Sequence, residues 1–223
     1  MTGRPDESAQ EPVITPVAED YLKAIWSATE WGGPPATVSG LASRFGTTRA
    51  TASATLGRLS DRGLVRHERY KAIDLSESGR RLAVAMVRRH RLIESYLVQT
   101  LGYAWDEVHD EAETLEHAVS DSFIERIDVL LGHPRSDPHG DPIPSADGQT
   151  AYPPDAVMLG DAGDGRYRVV RVSDSDPVTL RAAVRHGLTP GASLILDTVT
   201  RRALTGALQD PSAVVLVPER VSG

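Results

Sequence analysis

At 223 residues the chain is long enough to bury a real core and to hold two or three small domains. No apolar run approaches the ~20 residues a membrane helix needs, Met-Thr-Gly-Arg-Pro-Asp-Glu-Ser carries no signal-peptide core, and zero cysteines exclude a disulfide framework and any thiolate metal site. A cytoplasmic protein with no membrane partner is expected. The net charge of −7 conceals a segregation: residues 36–95 carry 12 basic and 5 acidic side chains, whereas residues 96–223 carry 10 and 20. A positive block inside an acidic chain is the local footprint that phosphate contact requires.

Residues 1–14 are polar, contain Pro5 and Pro12, and read as a disordered tail. Val17, Tyr21, Leu22, Ile25 and Trp26 then recur at helical spacing until Trp31-Gly-Gly-Pro-Pro stops the helix. A short helix is expected over Thr37–Phe45. Thr47 or Thr48 caps the next one, which runs to about Asp61 and is closed by Gly63. Val65 to Leu75 alternates around a basic turn, as a wing does. Helix, turn, helix and basic hairpin make a winged helix-turn-helix over 15–77.

Residues 78–131 read as a long helical region within a helical domain spanning 78–146. Ala83, Met86, Val87, Leu92, Tyr96 and Leu97 form one apolar face; Val119, Phe123, Ile127, Leu130 and Leu131 form another. At about 100° per residue, His109, Glu113, Glu116 and His117 fall within roughly one quadrant of a helix, beside the apolar stripe of Val108, Ala112, Leu115 and Val119. Two imidazoles and two carboxylates on one face suit a divalent metal such as Mn²⁺ or Fe²⁺; the alternative is a solvated acidic face. His90 and Glu94 stand at i, i+4, where they either grip one ion or form a surface ion pair.

Six prolines in residues 133–155 mark a linker or extended loop, in which His133 and His139 read as solvated, and the linker between the helical and β domains is placed at 147–156. From 157 onward the period changes. Arg168–Val172, Ser193–Leu196 and Ala213–Val217 are β-type runs, with one short helix over Thr179–His186 and a turn at Pro190-Gly191. A small β-barrel over 157–223 fits this pattern, so the fold class is mainly α with a β-domain at the C-terminal end.

The order of winged helix, ligand-bearing helices, proline-rich link and β-domain resembles the diphtheria-toxin-repressor family of metal-dependent transcriptional regulators. The resemblance covers about residues 16–221 and rests on Ala18-Glu-Asp-Tyr-Leu22, Arg89-His-Arg-Leu-Ile-Glu94, the run His109–Asp121 and Asp141-Pro-Ile-Pro144. It implies a homodimer that represses by binding palindromic operator DNA when metal is loaded, and an SH3-like third domain. It also implies a primary metal site of Asp20, Glu113, Glu116 and His117. Asp20 and Glu113 replace the Met and Cys of the iron-responsive branch, which is similar to the manganese-responsive branch, and carboxylates suit Mn²⁺. Some manganese regulators place an acid three residues after the first-helix Asp, where this chain has Lys23.

An ancillary site is implied at His90, Glu94 and His109, with Asp176 as the expected donor from Asp174-Ser-Asp-Pro-Val-Thr179 and Thr179 as a weak one. Thr48, Arg49, Ala50, Thr51 and Ala54 are implied to face the DNA groove, with Arg49 alone able to make a strong bidentate base contact. Arg58, Arg66, Arg69 and Lys71 are expected at phosphate; the alternative for each arginine is a solvated surface charge. The expected function is a Mn²⁺-activated repressor of manganese transport and homeostasis genes, the alternative being an iron-responsive repressor of the same family. A metal-dependent enzyme fits less well: His-Glu-x-x-His is absent, and Thr114 stands where Glu-x-x-His117 would need its Glu.

Overall fold

The computed structural model describes residues 14–67 and 72–219. The expected tail, apart from its last residue, and the expected phosphate contacts Arg69 and Lys71 lie outside the described residues. The chain forms two compact units that divide between Met86 and Val87. That division falls inside a helix, α4 (Glu77–Leu101).

In the first unit, α1 (Pro16–Glu30) starts where the Thr15 side chain accepts the Ala18 N–H, with Pro16 at a position whose N–H would be orphaned anyway. α2 (Val38–Arg44) is capped by Thr37 and α3 (Arg49–Asp61) by Thr48. Gly63 closes α3 at φ 67°, a left-handed conformation that favours glycine. The strands β1 (Val65–Arg66) and β2 (Asp74–Leu75) pair antiparallel, completing a winged helix-turn-helix. Tyr21, Leu22, Ile25, Trp26, Leu41, Leu56 and Leu59 are all buried. A side chain as completely enclosed as Leu22 or Leu56 stabilises by about 1.5–3 kcal/mol. Tyr21 also stacks on Phe45, with centroids 4.5 Å apart.

In the second unit the helical region is interrupted. Gly102 (φ 73°) follows α4, and α5 (Val108–Glu116) is only nine residues long, with His117 as its C-cap. Ser120 accepts the Phe123 N–H and opens α6 (Asp121–Leu130). Leu92, Ile93, Leu97, Val108, Ala112, Ile124 and Ile127 form the helical core, joined by Ile143 from the proline-rich segment.

That segment departs from expectation between 136 and 144. Ser136 and Pro142 form a β-bridge, and Asp137, His139, Asp141 and Ile143 are buried. The expectation of a solvated His139 is therefore wrong: its ring is fully enclosed, while His133 stays exposed beside Asp128. Ionic ties explain the order. Arg91 donates to the Pro142 carbonyl at 2.7 Å and pairs with Asp137 and Asp141, and Arg171 Nε donates to Asp141 at 2.7 Å.

The β part is an antiparallel sheet in the order β3 (Val157–Met158), β6 (Val214–Pro218), β4 (Gly165–Val172), β5 (Ser193–Leu196). β3 and β5 remain as edges, so the sheet is open among the described residues and the expected barrel is not closed. Asp176 caps α7 (Pro177–Arg185) and Asp197 caps α8 (Thr198–Ala207), a helix without buried residues that the sequence pattern did not announce. Leu159, Val169, Val172, Ala183, Leu196 and Leu216 form the core here, with Trp105 packed against it.

Gly140 fixes how the 136–144 segment lies on β4. Its φ is 90°, and a Cβ there would stand 1.9 Å from the Val170 carbonyl oxygen. Gly140→Ala should therefore cost about 2 kcal/mol or more through left-handed strain and forced backbone movement. The thermal midpoint should fall by roughly 4–8 °C, read by a calorimetric melt. A midpoint within 1 °C of the parent, against that roughly 4–8 °C, would show that the segment re-seats without strain.

Candidate metal centre

Glu94, on α4, sits at the middle of a cluster drawn from both parts of the second unit. Its side chain is 0 % exposed. His90 Nε2 lies 3.1 Å from Oε1, one helical turn away, and His109 Nδ1 of α5 lies 3.4 Å from the same oxygen. His109 Nδ1 also meets Asp174 Oδ2 at 2.7 Å, just after β4. Donor atoms of His90, Glu94, His109 and Asp174 all lie within 4.8 Å of one another.

The expected β-domain donor, Asp176, is elsewhere. Its carboxylate accepts from Val178 N, Thr179 N and the Thr179 hydroxyl, so both residues are consumed in capping α7. Asp174, two residues earlier, occupies the place beside His109. The Asp176-Pro177 step is itself an N-cap signature, and that signal was available to separate the two acids. Asp137 and His139, which the sequence pattern left in a loop, also come to Glu94: their donor atoms and that of Glu94 lie within 4.8 Å of one another.

The electrostatics are those of a cation site. Burial alone would raise Glu94, yet the surrounding imidazoles hold its carboxyl well below the usual range. Burial opposes a charged His109, but Asp174 and Glu94 lift it to about 10. Asp174 is pushed down, against burial, chiefly by His109. Among the described residues neither oxygen of Glu94 has a partner in hydrogen-bond geometry beyond the ion pairs with His90 and His109, and a buried polar atom left in that state costs about 1–3 kcal/mol. A divalent ion would satisfy both oxygens and displace the His109 proton. The donors are nitrogen and oxygen only, which suits Mn²⁺ or Fe²⁺ better than a soft ion.

His90 has a second contact. Its Nδ1 stands 2.6 Å from Glu116 Oε2, and Glu116 is fully buried at the end of α5. A carboxylate only accepts, so His90 donates through Nδ1 to Glu116. His117 Nε2 lies 3.6 Å from Glu116 Oε1, and Glu113, half exposed, lies 3.6 Å from His109 Nε2. Asp20 stands on α1 in the first unit, half-buried.

On α3, Arg49, Ala50, Thr51, Ala54 and Arg58 are exposed, while Ala52, Thr55, Leu56 and Leu59 are buried. The Thr48 hydroxyl is 2.9 Å from that of Thr51 and caps the helix. Arg58 donates to Thr55 at 2.8 Å, and the exposed Arg66 to the Leu75 carbonyl at 3.3 Å. No helix among the described residues is long and apolar enough to cross a membrane.

Two family models match. Residues 13–73 match the iron dependent repressor N-terminal DNA binding domain, and residues 76–145 match the iron dependent repressor metal binding and dimerisation domain. The iron-dependent repressor IdeR of Mycobacterium leprae is 31% identical over 210 residues, 94% of this chain and 87% of its own length. The diphtheria toxin repressor of Corynebacterium diphtheriae is 32% identical over 71% of this chain and 72% of its own. Among solved structures, a manganese-dependent transcriptional repressor in complex with manganese is 44% identical, with a TM-score of 0.77 over 91% of this chain and all of its own. The manganese regulator SloR is 30% identical, with a TM-score of 0.75 over 92% of this chain and all of its own.

Proposed function

Because the chain belongs to the iron-dependent repressor family of metal-dependent, DNA-binding transcriptional repressors, which are not enzymes, we propose that it is a Mn²⁺-activated repressor of manganese transport and homeostasis genes. It acts as a homodimer on palindromic operator DNA, in the cytoplasm, with an SH3-like C-terminal domain. The primary ligands are Asp20, Glu113, Glu116 and His117; the ancillary ligands are His90, Glu94, His109 and Asp174. Thr48, Arg49, Ala50, Thr51 and Ala54 face the groove, and Arg58, Arg66, Arg69 and Lys71 meet phosphate. The observation that carries the reading is the enclosed Glu94 carboxylate, gathered with His90, His109 and Asp174 into one set of nitrogen and oxygen donors.

Manganese is favoured over iron by the donor set. Asp20 and Glu113 are carboxylates, and the chain has no cysteine to supply sulfur. Ligands drawn from α1 and from α5 are satisfied together only when both helices are correctly placed. Ion binding then becomes a bias towards the DNA-competent arrangement, limited in size by its differential affinity for the two states.

A second reading, activation by Fe²⁺, is favoured by the iron-dependent relatives. Operator binding titrated anaerobically against each ion distinguishes them. Mn²⁺ is expected to activate fully, and Fe²⁺ no better at equal free concentration. Activation by Fe²⁺ with none by Mn²⁺ would replace the first reading with the second.

Asp174 and Asp176 offer a sharper test within the β-domain. Asp174→Asn should raise the Mn²⁺ concentration for half-maximal operator binding by about 10-fold or more, since it removes a charged ligand. Asp176→Asn should leave that concentration within about 2-fold, because Asn still caps a helix. Equal shifts in both variants would show that the β-domain acts through its stability and supplies no ligand.

A further inference from the structure

Two consecutive residues of α4 hold Glu116, one by its side chain and one by its backbone. His90 Nδ1 stands 2.6 Å from the Glu116 carboxylate, and the Arg89 guanidinium donates to the Glu116 carbonyl at 3.3 Å. Arg89 also donates to the Val119 carbonyl and to the Asp121 carboxylate. One planar fork thus spans the corner from the last residue of α5 to the first of α6. The Arg89 side chain is only 18% exposed, whereas that of Asp121 is 88% exposed. An ion pair with so solvated a partner contributes little, so the carbonyl bonds carry the contact.

The end of α5 needs such a partner. The last carbonyls of a helix have no intrahelical N–H, and the usual remedies are a left-handed glycine after the helix or a basic side chain in its last turn. The helices α1, α2, α3, α4, α6 and α7 are each followed within two residues by a glycine at positive φ. Residues 117–121, His-Ala-Val-Ser-Asp, contain no glycine, and the last turn of α5 contains no basic residue. The guanidinium supplies from α4 what α5 lacks, and its charge suits the negative end of the helix dipole. A left-handed reversal would turn the chain away directly after Glu116. Without one, His117 keeps right-handed helical angles, φ −88° and ψ −16°, and stays one helical turn from Glu113.

We propose that Arg89 is a positioning residue for the ion assigned to Glu113, Glu116 and His117, acting by fixing the turn of α5 that carries the last two. This rests on the reading that Glu116 and His117 are ligands. A partner that orients ligands sets how tightly the ion is held, so its loss weakens the response to metal and leaves the DNA contacts as they are. The helix α4 then serves both ligand sets, one directly through His90 and Glu94 and the other through Arg89.

The test uses the full chain and Mn²⁺, with operator binding followed by fluorescence anisotropy and a melt of the metal-free protein beside it. Arg89→Met keeps the aliphatic stem and loses every donor. It should raise the Mn²⁺ concentration for half-maximal operator binding by about 10-fold or more, while operator affinity at saturating Mn²⁺ stays that of the parent. Arg89→Lys, which keeps the charge without the fork, should fall between Arg89→Met and the parent, and Asp121→Asn should match the parent. A purely structural role predicts a lower melt with an unchanged half-activation concentration, and that result overturns the proposal. So does a shift in Asp121→Asn as large as in Arg89→Met, which would place the effect at the start of α6. Should Arg89→Met fail to fold, Arg89→Lys decides alone, and a half-activation concentration equal to the parent's overturns the proposal. Glu116→Gln and His117→Ala separate the two readings. If they too respond to Mn²⁺ like the parent, the ligand assignment itself has failed; if they lose the response and Arg89→Met keeps it, only the positioning role has.

Discussion

Glu116→Gln and His117→Ala should each reduce Mn²⁺-dependent operator binding by about 100-fold or more while leaving the protein folded. Removing a direct ligand should cost at least the 10–100-fold that loss of an outer partner of a metal site costs. Gln is the informative replacement at 116. Glu116 is fully enclosed, with its Oε2 2.6 Å from His90 Nδ1. Alanine would leave a cavity and an unpaired imidazole N–H, whereas Gln keeps the volume and an acceptor oxygen and loses only the charge. His117 caps α5 and is partly exposed, so its truncation leaves the core intact. Fluorescence anisotropy of labelled operator at saturating Mn²⁺, beside a thermal melt, separates lost metal response from lost fold. Parent-like affinity in either variant at saturation would remove that residue from the ligand set. His90→Ala should fall between these and an ordinary ancillary variant, because His90 contacts both Glu116 and Glu94.

The second large effect concerns metal choice. Asp20→Met combined with Glu113→Cys should shift the ratio of Mn²⁺ to Fe²⁺ activation by about 10-fold or more, equivalent to about 1.4 kcal/mol. Two carboxylates are lost, and with them charge and hard donors that Mn²⁺ needs. The sulfur ligands gained favour Fe²⁺, Co²⁺ and Ni²⁺, which also stand higher in the affinity order. Neither change empties a packed site: Asp20 is half-buried and the Glu113 side chain is 44% exposed. Anaerobic titrations of parent and double variant with each ion measure the ratio directly. An unchanged ratio would show that these two positions do not set selectivity.

What the sequence determined was local. Apolar spacing, with Thr48 before the third run, locates the helices of the winged unit, because a cap and a 3.6-residue period are properties of a few consecutive residues, whereas the breaks that separate α4, α5 and α6 were not legible in the pattern. The +7 block at 36–95 and the His and Glu spacing on α4 and α5 are of the same kind. Tertiary structure decided what depended on distant segments. Asp174 and Asp176 are both acids near the end of β4, and only packing against α5 selects the former while a local cap takes the latter. The proline-rich composition around His139 reads as solvent-exposed loop, since composition carries no record of the Arg91 and Arg171 guanidiniums that draw Asp137 and Asp141 inward. Those ions come from residues about thirty to fifty positions away, beyond the reach of any period or cap. The open sheet edges at β3 and β5 follow from which strands find partners, again a long-range outcome.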